Sequence, residues 1–305
     1  MGAGSFDSAA YASFAASTRG KATEEVYASR TLDPYLDPKG VKMRESRDSK
    51  DNPNSTPIIV AIDVTGSMGM IADYLAREGL GTLFKGILER RPVSDPHMMF
   101  MAIGDAVYDS APLQVSQFEA DNRIVDQLTK IWIEHGGGGN SWESYNLPWY
   151  FAATHTVTDA MEKRGKRGYL FTIGDEETPD PLTPAQIKKI IGDTIEADLP
   201  NDKLLDMVRR DYDVFHIIIA EGSHARRYLD TVQEKWRGLL GQKVITLKDY
   251  KKLSETIVSA IEVTEGADAH SSASGWGHGA ADVVHDAVKA LPREENNPRL
   301  LGRSA

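Results

Sequence analysis

The stretch Pro57–Met70, PIIVAIDVTGSMGM, constrains this chain most. An apolar run, Ile58 to Ile62, stops at Asp63. Thr65, Gly66, Ser67 and Gly69 follow before a helical pattern begins. A short apolar run bounded by turn residues reads as a strand buried on both faces, as in parallel sheets. Asp63 then stands at the carboxyl end of the strand, where open α/β sheets place their ligands. Asp63, Thr65 and Ser67 alternate over one turn, so a carboxylate and two hydroxyls can converge. Such hard oxygens suit Mg²⁺, Mn²⁺ or Ca²⁺. The same residues also suit a helix N-cap and first turn, which needs no ion.

The pattern recurs along the chain. His97–Ile103, Tyr169–Ile173 and Val214–Ala220 are further buried-strand runs, and Val244–Leu247 a short one. Between them lie helical periodicities over residues 68–90, 120–133, 142–163, 183–191, 202–209, 224–240 and 248–263. Strand and helix in alternation predict parallel βαβ units. The expected fold is α/β, a doubly wound, mostly parallel sheet with helices on both faces, over residues 57–263. Residues 1–56 are read as an arm: LDPYLDPKG and RESRDSKD are rich in Pro and charge and poor in large apolar side chains. The arm is expected to be a flexible extension packing locally, or to pair with another subunit. Residues 264–305 are read as a Gly/Ser/Ala-rich linker with a short amphipathic helix, 281–291, and a charged tail.

Two more strand runs lead to acidic residues: Asp105 follows Gly104, and Asp175 follows Gly174. In a parallel sheet these ends share one rim with Asp63. The glycine run His135–Asn140, HGGGGN, is a tight loop returning towards that rim.

Asp63-x-Thr65-x-Ser67 after an apolar strand resembles the DxSxS or DxTxS signature of von Willebrand factor A (VWA) domains, and the resemblance covers residues 57–263. It implies a metal-ion-dependent adhesion site with ligands from three loops. Asp63, Thr65 and Ser67 match the first loop and Asp175 the last. The family's Gly-Gly-Thr of the middle loop falls here on Gly138-Gly139-Asn140 or, one residue on, on Ser141. Asn140 offers an amide oxygen and Ser141 a hydroxyl. Glu143 is also within reach and would make the site more anionic. Which of the three serves remains open. Asp105 is expected beside the ion's ligands, orienting water or a hydroxyl. The resemblance further implies a non-enzymatic protein-binding module whose Mg²⁺ (or Mn²⁺ or Ca²⁺) is completed by an Asp or Glu of a partner. Intracellular bacterial members often work beside a MoxR-type AAA+ ATPase, and phage-encoded members look alike.

Composition bounds the alternatives. Acidic residues outnumber basic by 45 to 35, a net charge of -10, which argues against a nucleic-acid surface. The basic run Lys163–Arg167 reads as a solvated helix end. Without cysteine there is no disulfide, thiolate zinc site or thiol nucleophile. No apolar stretch reaches the roughly 20 residues of a membrane span. MGAGSFDSAA lacks the features of a secretory signal, so a cytoplasmic protein is expected, with self-assembly through the arms open. Two other readings stand. Asp-x-Thr-Gly also resembles haloacid-dehalogenase-type phosphatases, with Asp63 as nucleophile, but Thr65 occupies the position of their second Asp. A structural scaffold with a degenerate metal site is the other. His216, inside an apolar strand, is expected to be a packed core residue.

Overall fold

The computed structural model describes residues 4–134 and 140–293, the side chain of Ser67 excepted. Its strands are β1 (Arg44–Ser46), β2 (Thr56–Asp63), β3 (Pro96–Ile103), β4 (Leu113–Val115), β5 (Thr156–Thr158), β6 (Gly168–Gly174), β7 (Tyr212–Ile219) and β8 (Val244–Leu247). Six of them form one sheet in the order β4-β3-β2-β6-β7-β8. All its pairings are parallel except that of the edge strand β4. This is the α/β architecture expected, because the apolar runs have no polar face to show to water.

Successive residues of β2 serve opposite cores. Ile58, Val60 and Ile62 pack with helices Gly69–Tyr74, Leu80–Arg90 and Leu253–Thr264. Ile59 and Ala61 pack with helices Asn146–His155, Pro184–Ile190, Asn201–Val208 and Ala225–Leu240. β2 lies at the middle of the sheet, so Asp63 emerges at the centre of the carboxyl rim, between the ends of β3 and β6.

The structure departs from the sequence expectations in three places. The single helix expected over 142–163 is interrupted. Asn146–His155 and Asp159–Arg164 are helical, but Thr156–Thr158 is a strand paired in parallel with Arg44–Ser46 of the arm. The β-branched residues Thr156, Val157 and Thr158 favour extended backbone, and Thr158 then caps the next helix. The arm itself is docked. Phe6 stacks on Phe84 with ring centroids 4.2 Å apart, and Tyr11, Tyr27 and Leu36 are buried. The stretch read as a linker folds into helices Ala269–Ser274 and His278–Val288. Its small residues Ala269, Ala273 and Ala280 are buried at the contact, and Trp276 lies under the Arg90 guanidinium at 4.3 Å.

Candidate metal centre

Asp63 is 1% exposed. Its Oδ1 accepts the backbone N–H of Thr65 at 2.9 Å and the Thr65 hydroxyl at 2.7 Å. This side-chain turn bends the chain out of β2. Gly66, at φ 43, then takes a left-handed conformation that most side chains avoid. The other oxygen, Oδ2, accepts the Tyr145 hydroxyl at 3.0 Å. Tyr145 reaches it because β6 ends in glycine: a Cβ on Gly174 would stand 1.8 Å from the phenol oxygen.

Asp175 follows Gly174 and is 3% exposed. Its Oδ2 accepts the backbone N–H of His224 at 2.8 Å. A Cβ on Gly222 would come within 2.2 Å of that oxygen, so a second glycine makes room for the second aspartate.

The middle segment is laced between the two strand ends. Glu143 N–H donates to the Glu177 carbonyl at 3.0 Å, and Ser144 N–H to the Gly104 carbonyl at 3.3 Å. Ser144 Oγ accepts from Ala106 N–H at 2.9 Å. The Glu143 side chain is 4% exposed, and its Oε1 accepts the Thr65 hydroxyl at 3.1 Å. Asn140 turns its amide to the Asp105 carboxylate instead. Ser141 is exposed, and no hydrogen bond among the described residues ties it to the site. Asp105, 1% exposed, also accepts from the N–H of Tyr108 at 3.2 Å and so holds its own loop. The side chain of Ser67 and the loop 135–139 lie outside the described residues.

The electrostatics are those of crowded carboxylates in low dielectric. Burial pushes the Asp63, Asp175 and Glu143 carboxyls upward. The charge of Asp175 adds to the effect on Asp63, and that of Asp63 to the effect on Glu143. Glu176 is raised to about 8, by burial first and then by Asp63 and Asp175. Burial likewise lowers His216, which is neutral in the core and stacks on Trp236 at 3.4 Å, the packed position expected.

Two observations bear on whether these residues fit a cation. Thr65 has one hydroxyl hydrogen, yet its oxygen lies within hydrogen-bond distance of two carboxylate oxygens, of Asp63 and of Glu143. Glu143 Oε2 is buried with no hydrogen-bond partner among the described residues. Both fit a hard divalent ion, which offers oxygens the positive charge that a single proton cannot share. No three Asp, Glu or His side chains among the described residues form a cage by themselves, so an ion here draws on hydroxyls and water as well.

Three participants were not legible as site residues beforehand. Tyr145 reads in the sequence as one more core aromatic, and Glu176 as a helix-start charge. Gly222 reads as an ordinary turn. The only signal was glycine at the end of a buried strand, Gly174, and in the turn after one, Gly222, which marks close approach without saying of what.

No protein-family model matches the sequence, and no curated protein matches it. Among solved structures, the chain is similar to the pilus adhesin SpaC from Lactobacillus rhamnosus GG in its open conformation. That match has 9% identity, 71% of this chain, 31% of that chain and a TM-score of 0.45. It is similar to a von Willebrand factor type A protein from Catenulispora acidiphila at 15% identity, 70% of this chain, 43% of that chain and TM-score 0.38. It is also similar to proximal thread matrix protein 1 from the mussel byssus, described with a zinc-occupied MIDAS motif. There the values are 13% identity, 72% of this chain, 48% of that chain and TM-score 0.42. The chain spans less than half the length of these structures. Matches this distant assign no ligand, partner or activity.

Proposed function

We propose that this chain is a VWA-like module that binds a partner protein through a divalent cation, and that it performs no catalysis. The observation that carries this reading is the Thr65 hydroxyl set between the carboxylates of Asp63 and Glu143, on the rim where the central strand ends. Asp63, Thr65 and Ser67 of the first turn and Asp175 would hold Mg²⁺, Mn²⁺ or Ca²⁺, directly or through water. When bound, the ion is a Lewis-acidic point that accepts one oxygen donor from a partner. Asp105 positions the neighbouring loop.

The surroundings suit a protein ligand. Val107 and Tyr108 follow Asp105, Trp142 precedes Glu143, and Tyr228 packs 5.0 Å from His224, whose N–H binds Asp175. These four are 61, 59, 44 and 53% exposed, respectively. Large exposed apolar and aromatic side chains around a polar centre are what interfaces bury.

The test is calorimetric titration of Mg²⁺, Mn²⁺ and Ca²⁺ into chelator-stripped protein. Saturable binding is expected for the wild type and is lost in Asp63→Ala and Asp175→Ala. Partner capture from the native source is then expected to be abolished by EDTA. Absence of binding at millimolar ion, or turnover of an aryl phosphate that Asp63→Ala removes, would overturn the reading.

A further inference from the structure

We propose that Glu143, rather than Asn140 or Ser141, is the middle-loop ligand, and that this built-in carboxylate lets the chain hold its ion without a partner. The inference rests on the reading above and goes beyond it, since a partner carboxylate is no longer needed to keep the ion in place.

Of the three candidates, Glu143 alone reaches the metal turn, through Oε1 to the Thr65 hydroxyl at 3.1 Å. Its second oxygen is buried and unpartnered among the described residues. A buried carboxylate oxygen without a donor is costly, and folded chains rarely keep one unless something outside the protein satisfies it. The neighbouring amide does not fill the gap: Asn140 Nδ2 donates to Asp105. The residue is 4% exposed, and its peptide is fixed on both sides. Its backbone is tied to Glu177 by its own N–H, and the N–H of Tyr145 returns to the Glu143 carbonyl at 2.8 Å. Tyr145 is in turn committed to Asp63. The peptide that carries Glu143 is therefore braced beside the turn that carries Thr65, with Oε1 on the Thr65 hydroxyl and Oε2 buried. No ion pair with Lys or Arg neutralises Asp63, Glu143 or Asp175 among the described residues. A cation bound between these groups would supply the positive charge that no side chain there offers.

The test compares wild type with Glu143→Gln, a substitution of nearly equal shape, and uses Mn²⁺ alone as probe. Calorimetry on the full chain is expected to show saturable, partner-free binding to wild type, weakened at least about tenfold by Glu143→Gln. Asn140→Ala and Ser141→Ala are expected to bind as wild type does. Thermal melting separates ligation from a structural role. Without metal, Glu143→Gln melts no lower than wild type, because the amide has nearly the same shape and keeps an oxygen for the Thr65 hydroxyl. With saturating Mn²⁺ it melts lower. A variant that binds Mn²⁺ like wild type overturns the assignment and leaves the metal-module reading intact, as does one that melts lower in both conditions. Wild type that binds no Mn²⁺, or binds it equally after Asp63→Ala, overturns that reading itself.

Discussion

At the scale of the residue, two glycines decide what the rim can be. Gly174 leaves space for the Tyr145 phenol and Gly222 for the Asp175 carboxylate, at spacings no side chain tolerates. Gly174→Ala is expected to destabilise the fold by about 1–3 kcal/mol, the usual cost of forcing extra volume into a packed site. The loss should appear as a lower urea midpoint with an unchanged slope; an unchanged midpoint would contradict the packing described. Gly222→Ala is expected to displace Asp175 and weaken Mn²⁺ binding measured by calorimetry. Gly238→Ala is its control, because a Cβ there meets nothing and should leave binding unchanged. The turn Asp63-x-Thr65-x-Ser67 was legible in the sequence because alternation over three residues is a local property. Glu143 was legible as a residue within reach of that turn, but its contact with Thr65 across 78 residues and that of Tyr145 with Asp63 across 82 were not. Proximity across such distances is made by the sheet.

At the scale of the element, the helix that follows the Asp63–Thr65 turn is not uniform. Between Gly69–Tyr74 and Leu80–Arg90 it widens over Leu75–Gly79 to a π-type turn. Widening leaves carbonyls in need of donors, and hydroxyls from distant segments supply them. Tyr11 donates to the Ala76 carbonyl at 3.1 Å, Tyr27 to Ala72 at 2.5 Å, and Ser254 to Gly79 at 2.7 Å. The arm is thus part of the domain's hydrogen bonding. Tyr27→Phe is expected to cost about 1 kcal/mol, the loss of one buried hydrogen bond to a carbonyl that keeps the Leu75 N–H. Urea denaturation would measure it, and a loss below a few tenths would mean that the arm only rests on the surface. The arm was legible only as a poor core former, since its few aromatics are too scattered to show a period. The segment 264–280 looked like a linker for a related reason: small residues carry little hydropathy, yet they permit the close helix packing seen at Ala273 and Ala280.

At the scale of the whole molecule, the rim links pH to stability. Asp63, Asp175, Glu143 and Glu176 all hold their protons more tightly in the folded chain than in the unfolded one. The sign follows: their contribution is most favourable below the ordinary carboxylate range, about 4, and is lost as pH rises through the folded values, which for Glu176 is about 8. A bound cation offsets that loss. The gain in melting temperature on adding Mg²⁺ is therefore expected to be larger at about pH 8 than at about pH 5. Differential scanning calorimetry with and without EDTA would show it, and an equal gain at both values would rule out a metal among these carboxylates. The described residues contain no helix long and apolar enough to cross a membrane.

The sequence by itself determined the sheet and where its strands end. Runs such as Ile58–Ile62 and Val214–Ile219 have no face fit for water, and a carboxylate at a run's end must lie on the rim. It determined the side-chain turn of Asp63 onto Thr65 as well, because a carboxylate two residues before a backbone N–H needs no help from elsewhere to reach it. Only the tertiary structure decided which middle-loop residue meets that turn, that Tyr145 braces Asp63, and that arm and tail close the helical layers. Those choices depend on backbone crossings and on the room that glycines leave, quantities set by the packing of segments far apart in the chain.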